Sequence, residues 1–136
     1  METALRRETP DHILHLGDCV PDAIALKKHG IPITLVAGNC DWGSSEPTVL
    51  TPEFEQVRIY MTHGHLHSVK MQYQRIIYAG LEAGARILLF GHTHRAELFT
   101  HQGMQIMNPG PCNQQGSYGL ITIEHGAFQC CVKSVQ

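Results

Sequence analysis

Four short segments of this 136-residue sequence share one pattern. In each, a strand-like apolar run ends at a glycine beside a side chain that can bind a metal ion. The segments are Gly17-Asp18, Gly38-Asn39, His63-Gly64 and Gly91-His92-Thr93-His94. Glycine permits a sharp turn and leaves space for a ligand. Because ligands of open α/β sheets bind beyond the carboxyl ends of the strands, we expect the four segments to converge on one site.

The donor types in these segments indicate a metal site. Each short motif alone is prone to false positives, and an isolated Gly-Asp is most often an ordinary turn. His92 and His94 are more specific, since residues two apart on an extended chain face the same way. Together, the carboxylate, amide and imidazole groups suit Mn²⁺, Fe, Zn²⁺ or Ni²⁺ and do not resemble a structural thiolate site.

Composition narrows the class of protein. The length fits one domain over residues 1–136, and 43% apolar residues exclude a disordered chain. A net charge of −2 argues against a sequence-independent nucleic-acid binder. No apolar run is long enough to span a bilayer, and the first eight residues do not resemble a signal peptide. We therefore expect a cytoplasmic protein. Its cysteines, which lack a C-x-x-C pair, are expected to be free thiols: Cys19, Cys40, Cys112, Cys130 and Cys131.

Hydrophobic periodicity predicts an α/β fold. Helices are predicted over 2–8, 21–29 and 70–83, and a loop over 42–52. Single strands are predicted over 12–16, 31–37, 56–62 and 86–90. Two hairpins follow, over 97–107 and 118–135. Parallel βαβ units followed by antiparallel strands predict mixed sheets.

The ordered motifs resemble those of the calcineurin-like metallophosphoesterases. The resemblance spans residues 16–119 and rests on Leu16-Gly17-Asp18, Gly38-Asn39-Cys40-Asp41, Thr62-His63-Gly64-His65 and Gly91-His92-Thr93-His94. Gly-Asn-Cys-Asp and the later Asn108-Pro109-Gly110 resemble the small bacterial and archaeal phosphodiesterase branch, the YfcE-like proteins. The resemblance implies a four-layer α/β/β/α sandwich of two mixed sheets.

The resemblance also implies a site with two divalent ions, manganese being expected first and iron, zinc or nickel being alternatives. The ions would hold a bridging hydroxide that attacks phosphorus. Asp18 would bridge the ions, Asn39, His63 and His92 would complete one ion's ligands, and His94 would bind the other. The Asn39 amide could also donate to a phosphate oxygen. Asp41 could orient a neighbouring imidazole from outside the ligand set.

Two features depart from the family pattern. The family opens with a strand ending in Asp-x-His, and no Asp-x-His occurs in this sequence. We therefore expect the domain to be N-terminally truncated, with Met1 an internal methionine of a longer product and with impaired activity in the chain as given. The second departure is Cys40, which stands where many members carry a histidine that protonates the leaving group. His65 is the candidate for that catalytic role.

Three functions remain in competition. The first is a metal-dependent phosphodiesterase acting on a small phosphodiester, with no nucleic acid or membrane as partner. The second is a non-catalytic, metal-binding scaffold like the retromer subunit of this fold, because fold alone does not establish activity. The third is a phosphomonoesterase or a nuclease, and the low content of basic residues argues against the nuclease. Because exposed strand edges can pair between two copies of a chain, a homodimer is a further expectation.

Overall fold

A computed structural model describes residues 1–18 and 20–136, so Cys19 lies outside the described residues. The helices are α1 (Glu2–Glu8), α2 (Val20–Ala25) and α3 (Gln74–Glu82), with short 3₁₀ helices at Leu26–His29 and His65–His67. The strands are β1 (Ile13–His15), β2 (Ile33–Leu35), β3 (Val49–Leu50), β4 (Glu53–Phe54), β5 (Val57–Thr62), β6 (Ile87–Leu89), β7 (Glu97–His101), β8 (Met104–Asn108), β9 (Ser117–Glu124) and β10 (Ala127–Ser134).

The central sheet is mixed, as predicted. Its order is β3-β5-β6-β8-β7, and β4 also pairs with β5. Strands β5, β6 and β8 run parallel to one another, whereas β3, β4 and β7 pair antiparallel with their neighbours. Two separate pairs complete the fold: β1 with β2 in parallel, and β9 with β10 antiparallel.

Alternating side chains of the central sheet build two cores. On one face, Leu88 and Ile106 pack with Ile76 of α3. On the other face, Ile59 and Met107 pack against the β1–β2 and β9–β10 pairs. A smaller cluster joins α2 to β2. Helix, central sheet, outer strands and helix thus form the four layers of the predicted α/β/β/α sandwich.

The two outer pairs are separated by a cleft. Ile13 N–H donates to Pro32 and the His15 carbonyl accepts from Val36, so the backbone groups of Leu14 between them face away from β2. Strand β9, paired on one side with β10, lines the opposite wall of the same cleft. The cleft has a volume of about 1070 Å³, and Ile59, Leu89 and Met107 lie along it.

Two local predictions were wrong. The predicted loop 42–52 contains β3, whose Val49 and Leu50 pair with the end of β5. Two apolar residues among Gly, Ser, Thr and Pro gave too weak a pattern to predict a strand. Helix α3 begins at Gln74 rather than at residue 70 because residues 68–71 form a separate turn, in which the residue 71 N–H donates to the Ser68 carbonyl at 2.9 Å. The Gln74 N–H then donates to the side-chain oxygen of Gln72 at the start of the helix.

Candidate metal centre

The turns that follow β1 and β2 pack directly backbone against backbone. A Cβ on Gly17, which has φ +92°, would lie 2.6 Å from the Gly38 nitrogen. A Cβ on Gly38 would lie 2.6 Å from the Asp18 nitrogen. Side chains at either glycine would therefore push the turns apart. The glycines of the two motifs allow Asp18 and Asn39 to share one end of the β1–β2 pair.

Asp41 ties these turns together. Its Oδ2 accepts the Gly38 N–H at 2.7 Å, and its Oδ1 accepts the Val20 N–H at 2.8 Å, at the start of α2. A carboxylate bonded to backbone N–H groups on both oxygens is a strong local anchor. These bonds hold the scaffold of the site, while the predicted orientation of an imidazole by Asp41 stays a prediction.

Asp18, His63 and His92 come together beyond the strand ends. His63, only 3% exposed, lies at the end of β5, and its Nδ1 is 2.8 Å from the Leu16 carbonyl. Since a carbonyl only accepts, Nδ1 carries the proton. The opposite ring nitrogen, Nε2, lies 3.2 Å from Asp18 Oδ2 and 3.1 Å from His92 Nδ1. The Gly91 N–H donates to the His63 carbonyl at 2.9 Å, which joins the ends of β5 and β6.

The environment keeps the two imidazoles in the metal-binding form. Burial lowers the pKa of His63 below its ordinary value of 6.5, and the Asp18 charge opposes this only in part. Burial, together with the neighbouring His63 ring, also lowers the pKa of His92. Neutral imidazoles offer a lone pair to a cation, whereas protonated ones repel it.

The donor set fits a divalent cation. Metal–nitrogen and metal–oxygen bonds of about 2.0–2.2 Å put neighbouring ligand atoms about 3 Å apart. The contacts of His63 Nε2 with Asp18 and His92 match that spacing. Within residues 1–18 and 20–136, however, no three His, Cys, Asp or Glu side chains are already arranged around one ion. Binding therefore requires side-chain adjustment or a further ligand such as the Asn39 amide.

The other predicted residues lie at the edge of this cluster. His65 has its ring centroid 5.5 Å from that of His63 and 6.3 Å from that of His92. In the described part of the chain its buried Nδ1 has no hydrogen-bond partner. His94 is exposed and lines the same cleft as Asp18 and His92. Asn39 is exposed, and its amide lies 3.7 Å from the sulfur of Cys40.

Cys40 contributes through its backbone. Its N–H donates to Asp18 Oδ1 at 3.0 Å, which fixes one carboxylate oxygen and leaves the other toward His63. The charge of Asp18 raises the pKa of the Cys40 thiol, so the thiol stays protonated at neutral pH. A protonated thiol of high pKa is a poor proton donor to a leaving group, and the role of His65 as that donor stays a prediction.

Sequence reasoning missed the part played by Asn108, which is 1% exposed. Its amide donates to the Gly91 carbonyl at 3.2 Å and to Thr93 Oγ1 at 2.9 Å, and its Oδ1 accepts the Gly110 N–H at 3.0 Å. These bonds hold the loop in which His92 has φ 66°. An asparagine directly before Pro-Gly signals a turn, and only the tertiary structure shows which loop it holds.

His15, within the strand predicted over 12–16, is a second residue whose part in the site sequence reasoning missed. It ends β1, is half-buried, and its Nδ1 accepts the Gly17 N–H at 3.2 Å. Burial lowers the pKa of His15, which keeps this nitrogen available as an acceptor. Alternation with Leu14 and Leu16 was the sequence signal for a strand position, but it did not show which turn His15 supports.

Comparison with known proteins identifies the family. The sequence model of the calcineurin-like phosphoesterase superfamily domain matches residues 2–126. The chain belongs to this superfamily. A probable metallophosphoesterase of Bacillus subtilis, YsnB, is 33% identical over 124 residues, which cover 86% of this chain and 71% of the relative.

Solved phosphoesterase-fold structures agree with the four-layer architecture. A predicted phosphoesterase from Streptococcus pneumoniae superimposes with a TM-score of 0.82 at 27% identity, covering 98% of this chain and 80% of the other. Vps29 from Entamoeba histolytica, solved in complex with Zn²⁺, gives a TM-score of 0.76 at 17% identity, covering 100% and 90% of the two chains. At that identity the likeness to Vps29 concerns the fold alone.

The helices of the described residues are all too short and too polar to span a membrane.

Replacing Asn108 by Leu should weaken the His92 loop. The variant keeps a side chain of similar volume but leaves the Gly91 carbonyl and the Gly110 N–H without their buried partner, so we expect a loss of about 1–3 kcal/mol in unfolding free energy. Urea denaturation measures the loss, and calorimetric titration with Mn²⁺ should show weaker binding. Gln114→Leu, at an exposed position, is the control. Unchanged stability and metal affinity in Asn108→Leu would contradict this role.

Stability of the metal-free phosphoesterase domain should fall in mild acid. The folded state lowers the pKa of His15, His63, His67 and His92 below 6.5, mainly by burial, so the unfolded chain binds more protons there. Unfolding free energy therefore rises with pH up to about 6.5 and then levels off. Urea denaturation between pH 5 and 8 measures the slope. His15→Gln should reduce it, whereas a change at the exposed His125 should not; a flat profile would refute the argument.

Proposed function

We propose that this protein is a metal-dependent phosphodiesterase that hydrolyses a small phosphodiester. The observation that carries the proposal is the contact of His63 with both Asp18 and His92 beyond three strand ends. Such a set of one carboxylate and two neutral imidazoles has no evident use in holding the cores together, because the residues lie at the rim of the layers. Hydrolysis of phosphate esters is the chemistry that this family supports.

Two divalent ions are proposed, with manganese first and iron, zinc or nickel as alternatives. Asp18, Asn39, His63, His92 and His94 are the proposed ligands. Bound divalent ions neutralise the charge of phosphate oxygens and make water a nucleophile near neutral pH. The protein's own contribution is orientation: the Leu16 carbonyl fixes the ring of His63, and the Cys40 N–H fixes the carboxylate of Asp18.

His65 is proposed to protonate the leaving group. Its ring stands beside both His63 and His92, and its partnerless Nδ1 has no competing hydrogen bond among the described residues. The Asn39 amide, exposed at the same mouth, is proposed to donate an N–H to a phosphate oxygen. Both roles place a donor where negative charge develops during displacement at phosphorus.

The cleft between β1 and β9 offers a place for the expected Asp-x-His strand. Both walls are strand edges, and Leu89 and Met107 on the cleft floor suit an apolar strand. Asp18, His92 and His94 line the cleft as well, so an extended segment there would run into the candidate metal centre. We propose that such a strand completes the ligands of the second ion and raises the activity of the domain.

Two alternatives to the phosphodiesterase, a scaffold and a phosphomonoesterase, are distinguished by the test described below. A scaffold of the Vps29 type would bind metal without hydrolysis, and the fold likeness keeps that alternative open. A phosphomonoesterase would prefer substrates with a single ester bond. Neither alternative gains from a specific contact in the structure, and the exposure of Asn39 and His94 agrees with a substrate that carries a second ester group.

The test is hydrolysis of bis-p-nitrophenyl phosphate and p-nitrophenyl phosphate with added Mn²⁺. We expect the diester to be preferred, and we expect Asp18→Ala and His92→Ala each to lower kcat/KM at least about a hundredfold, since each removes a proposed metal ligand. A chain extended by a strand that ends in Asp-x-His should be faster than residues 1–136. Metal binding without hydrolysis in both chains would favour the scaffold, and undiminished activity of the alanine variants would refute the mechanism.

The role of His65 can be tested by varying the leaving group of the diester. His65→Ala should slow esters with a poor leaving group, such as alkyl alcohols, more than nitrophenyl esters, because only the former need a proton on departure. Comparing kcat across diesters of graded leaving-group pKa measures the difference. His67→Ala, next but one in the chain, is the matched control and should lack this dependence. Equal slowing of all substrates by His65→Ala would argue against proton donation.

A further inference from the structure

Residues 91–96 lie between β6 and β7 and carry both His92 and His94. The side chain of Asn108 donates two hydrogen bonds into the first half of this loop. The second half contains His94, which has φ 57° and lines the cleft. The position of His94 therefore depends on what holds the far end of the loop, where β7 begins at Glu97.

Tyr73 contacts both ends of this loop. Its ring centroid lies 5.1 Å from that of Phe90, the residue directly before the loop. Its hydroxyl donates a hydrogen bond to the carboxylate of Glu97, the residue directly after the loop. The ring also stacks on Phe99 with 6.0 Å between centroids. Since Glu97 and Phe99 are two apart on β7 and face the same way, a single tyrosine can meet both and join the two ends of the loop.

The position of Tyr73 is itself fixed by helix α3 and the core. Its carbonyl accepts the Ile77 N–H at 3.0 Å, in the turn with which the helix begins. Phe90, against which its ring packs, is 0% exposed. Strand β7, in contrast, is the outermost strand of the central sheet, where it pairs with β8. The hydrogen bond to Glu97 therefore ties the start of an edge strand to the interior of the domain.

The hydrogen bond between Tyr73 and Glu97 is of a strong type. Burial and the Glu97 carboxylate raise the pKa of Tyr73 to about 12, so the hydroxyl keeps its proton and donates it at neutral pH. A hydrogen bond from a neutral hydroxyl to a carboxylate is charge-assisted. Glu97 is half-buried, and a half-buried carboxylate without a donor would lose part of its hydration without compensation. The tyrosine hydroxyl thus stabilises Glu97 in one place.

We propose that Tyr73 is a positioning residue that, through Glu97, sets the position of His94 at the candidate metal centre. The proposal rests on the proposed function in so far as His94 is a proposed ligand, but the fixing of the loop is testable without metal. Tyr73 acts through Glu97 and is not itself a ligand. Asn108 and Tyr73 divide the loop between them, so loss of the Tyr73 hydroxyl should affect the His94 half more than the His92 half.

The first test measures backbone order in the metal-free protein by ¹⁵N NMR relaxation. Tyr73→Phe removes only the hydroxyl, so we expect the order parameters of residues 94–96 to fall toward about 0.6 while that of residue 92 stays nearer to about 0.85. Glu97→Gln keeps an acceptor and should resemble the parent chain, whereas Glu97→Leu should resemble Tyr73→Phe.

The matched control is Tyr78→Phe, at a 67% exposed position of the same helix, which should leave the loop unchanged. Unchanged order of residues 94–96 in Tyr73→Phe would overturn the proposal. A loss of order spread evenly over the whole chain would overturn it too, because it would show a general structural role.

The second test connects the loop to the metal centre by calorimetric titration of the same variants with Mn²⁺. Loss of one hydrogen bond that positions a ligand should weaken Mn²⁺ binding by Tyr73→Phe about threefold to tenfold. Excess Mn²⁺ should then restore hydrolysis of the diester, which it would not do for a misfolded variant. Weaker Mn²⁺ binding and a loosened loop in a protein without hydrolysis would support the positioning role and remove the proposed function. Unchanged Mn²⁺ affinity in Tyr73→Phe would overturn the role at the metal centre.

Discussion

The candidate site depends on the contact between two glycine turns. Gly17 and Gly38 approach so closely that a methyl group on either would displace backbone atoms of the other turn. Asp41 fixes this arrangement with hydrogen bonds to both the Gly38 turn and the start of α2. The backbone of Asp18 is consequently fixed, and its short side chain leaves the carboxylate little freedom to move. A short acidic residue on a rigid turn suits a bridging metal ligand.

The central sheet supplies the other half of the site through strand length and register. Strands β5 and β6 run parallel with Met61 opposite Leu89, so their ends fall side by side. His63 and His92 therefore emerge as neighbours, and the Gly91 N–H bonded to the His63 carbonyl locks the two ends together. The same apolar residues that fill the cores determine where the imidazoles stand. Core packing and ligand geometry are for this reason inseparable at this edge of the sheet.

The mixed sheets and the four motifs at the strand ends could be predicted from the sequence, because their signals are local. Glycine beside Asp, Asn or His after an apolar run marks a strand end, and parallel strand ends meet at one edge. The positions of Asn108 and His15 could not be assigned in this way. Each acts on a loop through hydrogen bonds that depend on tertiary structure, Asn108 across 15 residues to Thr93. The start of α3 was predicted wrongly for a different reason: residues 68–71 form a separate turn, which helical periodicity does not distinguish from the first turn of a helix.

Burial lowers the pKa of His63, whereas the charge of Asp18 raises it. The balance between these two effects determines the charge that the site offers to a ligand. Burial keeps His63 and His92 neutral, which leaves Asp18 as the fixed negative charge that contacts them. Among the described residues, Asp18 is the carboxylate in contact with His63, and alone it would balance only part of the charge of the two proposed divalent ions. An anionic ligand such as a phosphate ester would offset the remaining positive charge, which agrees with the proposed substrate class.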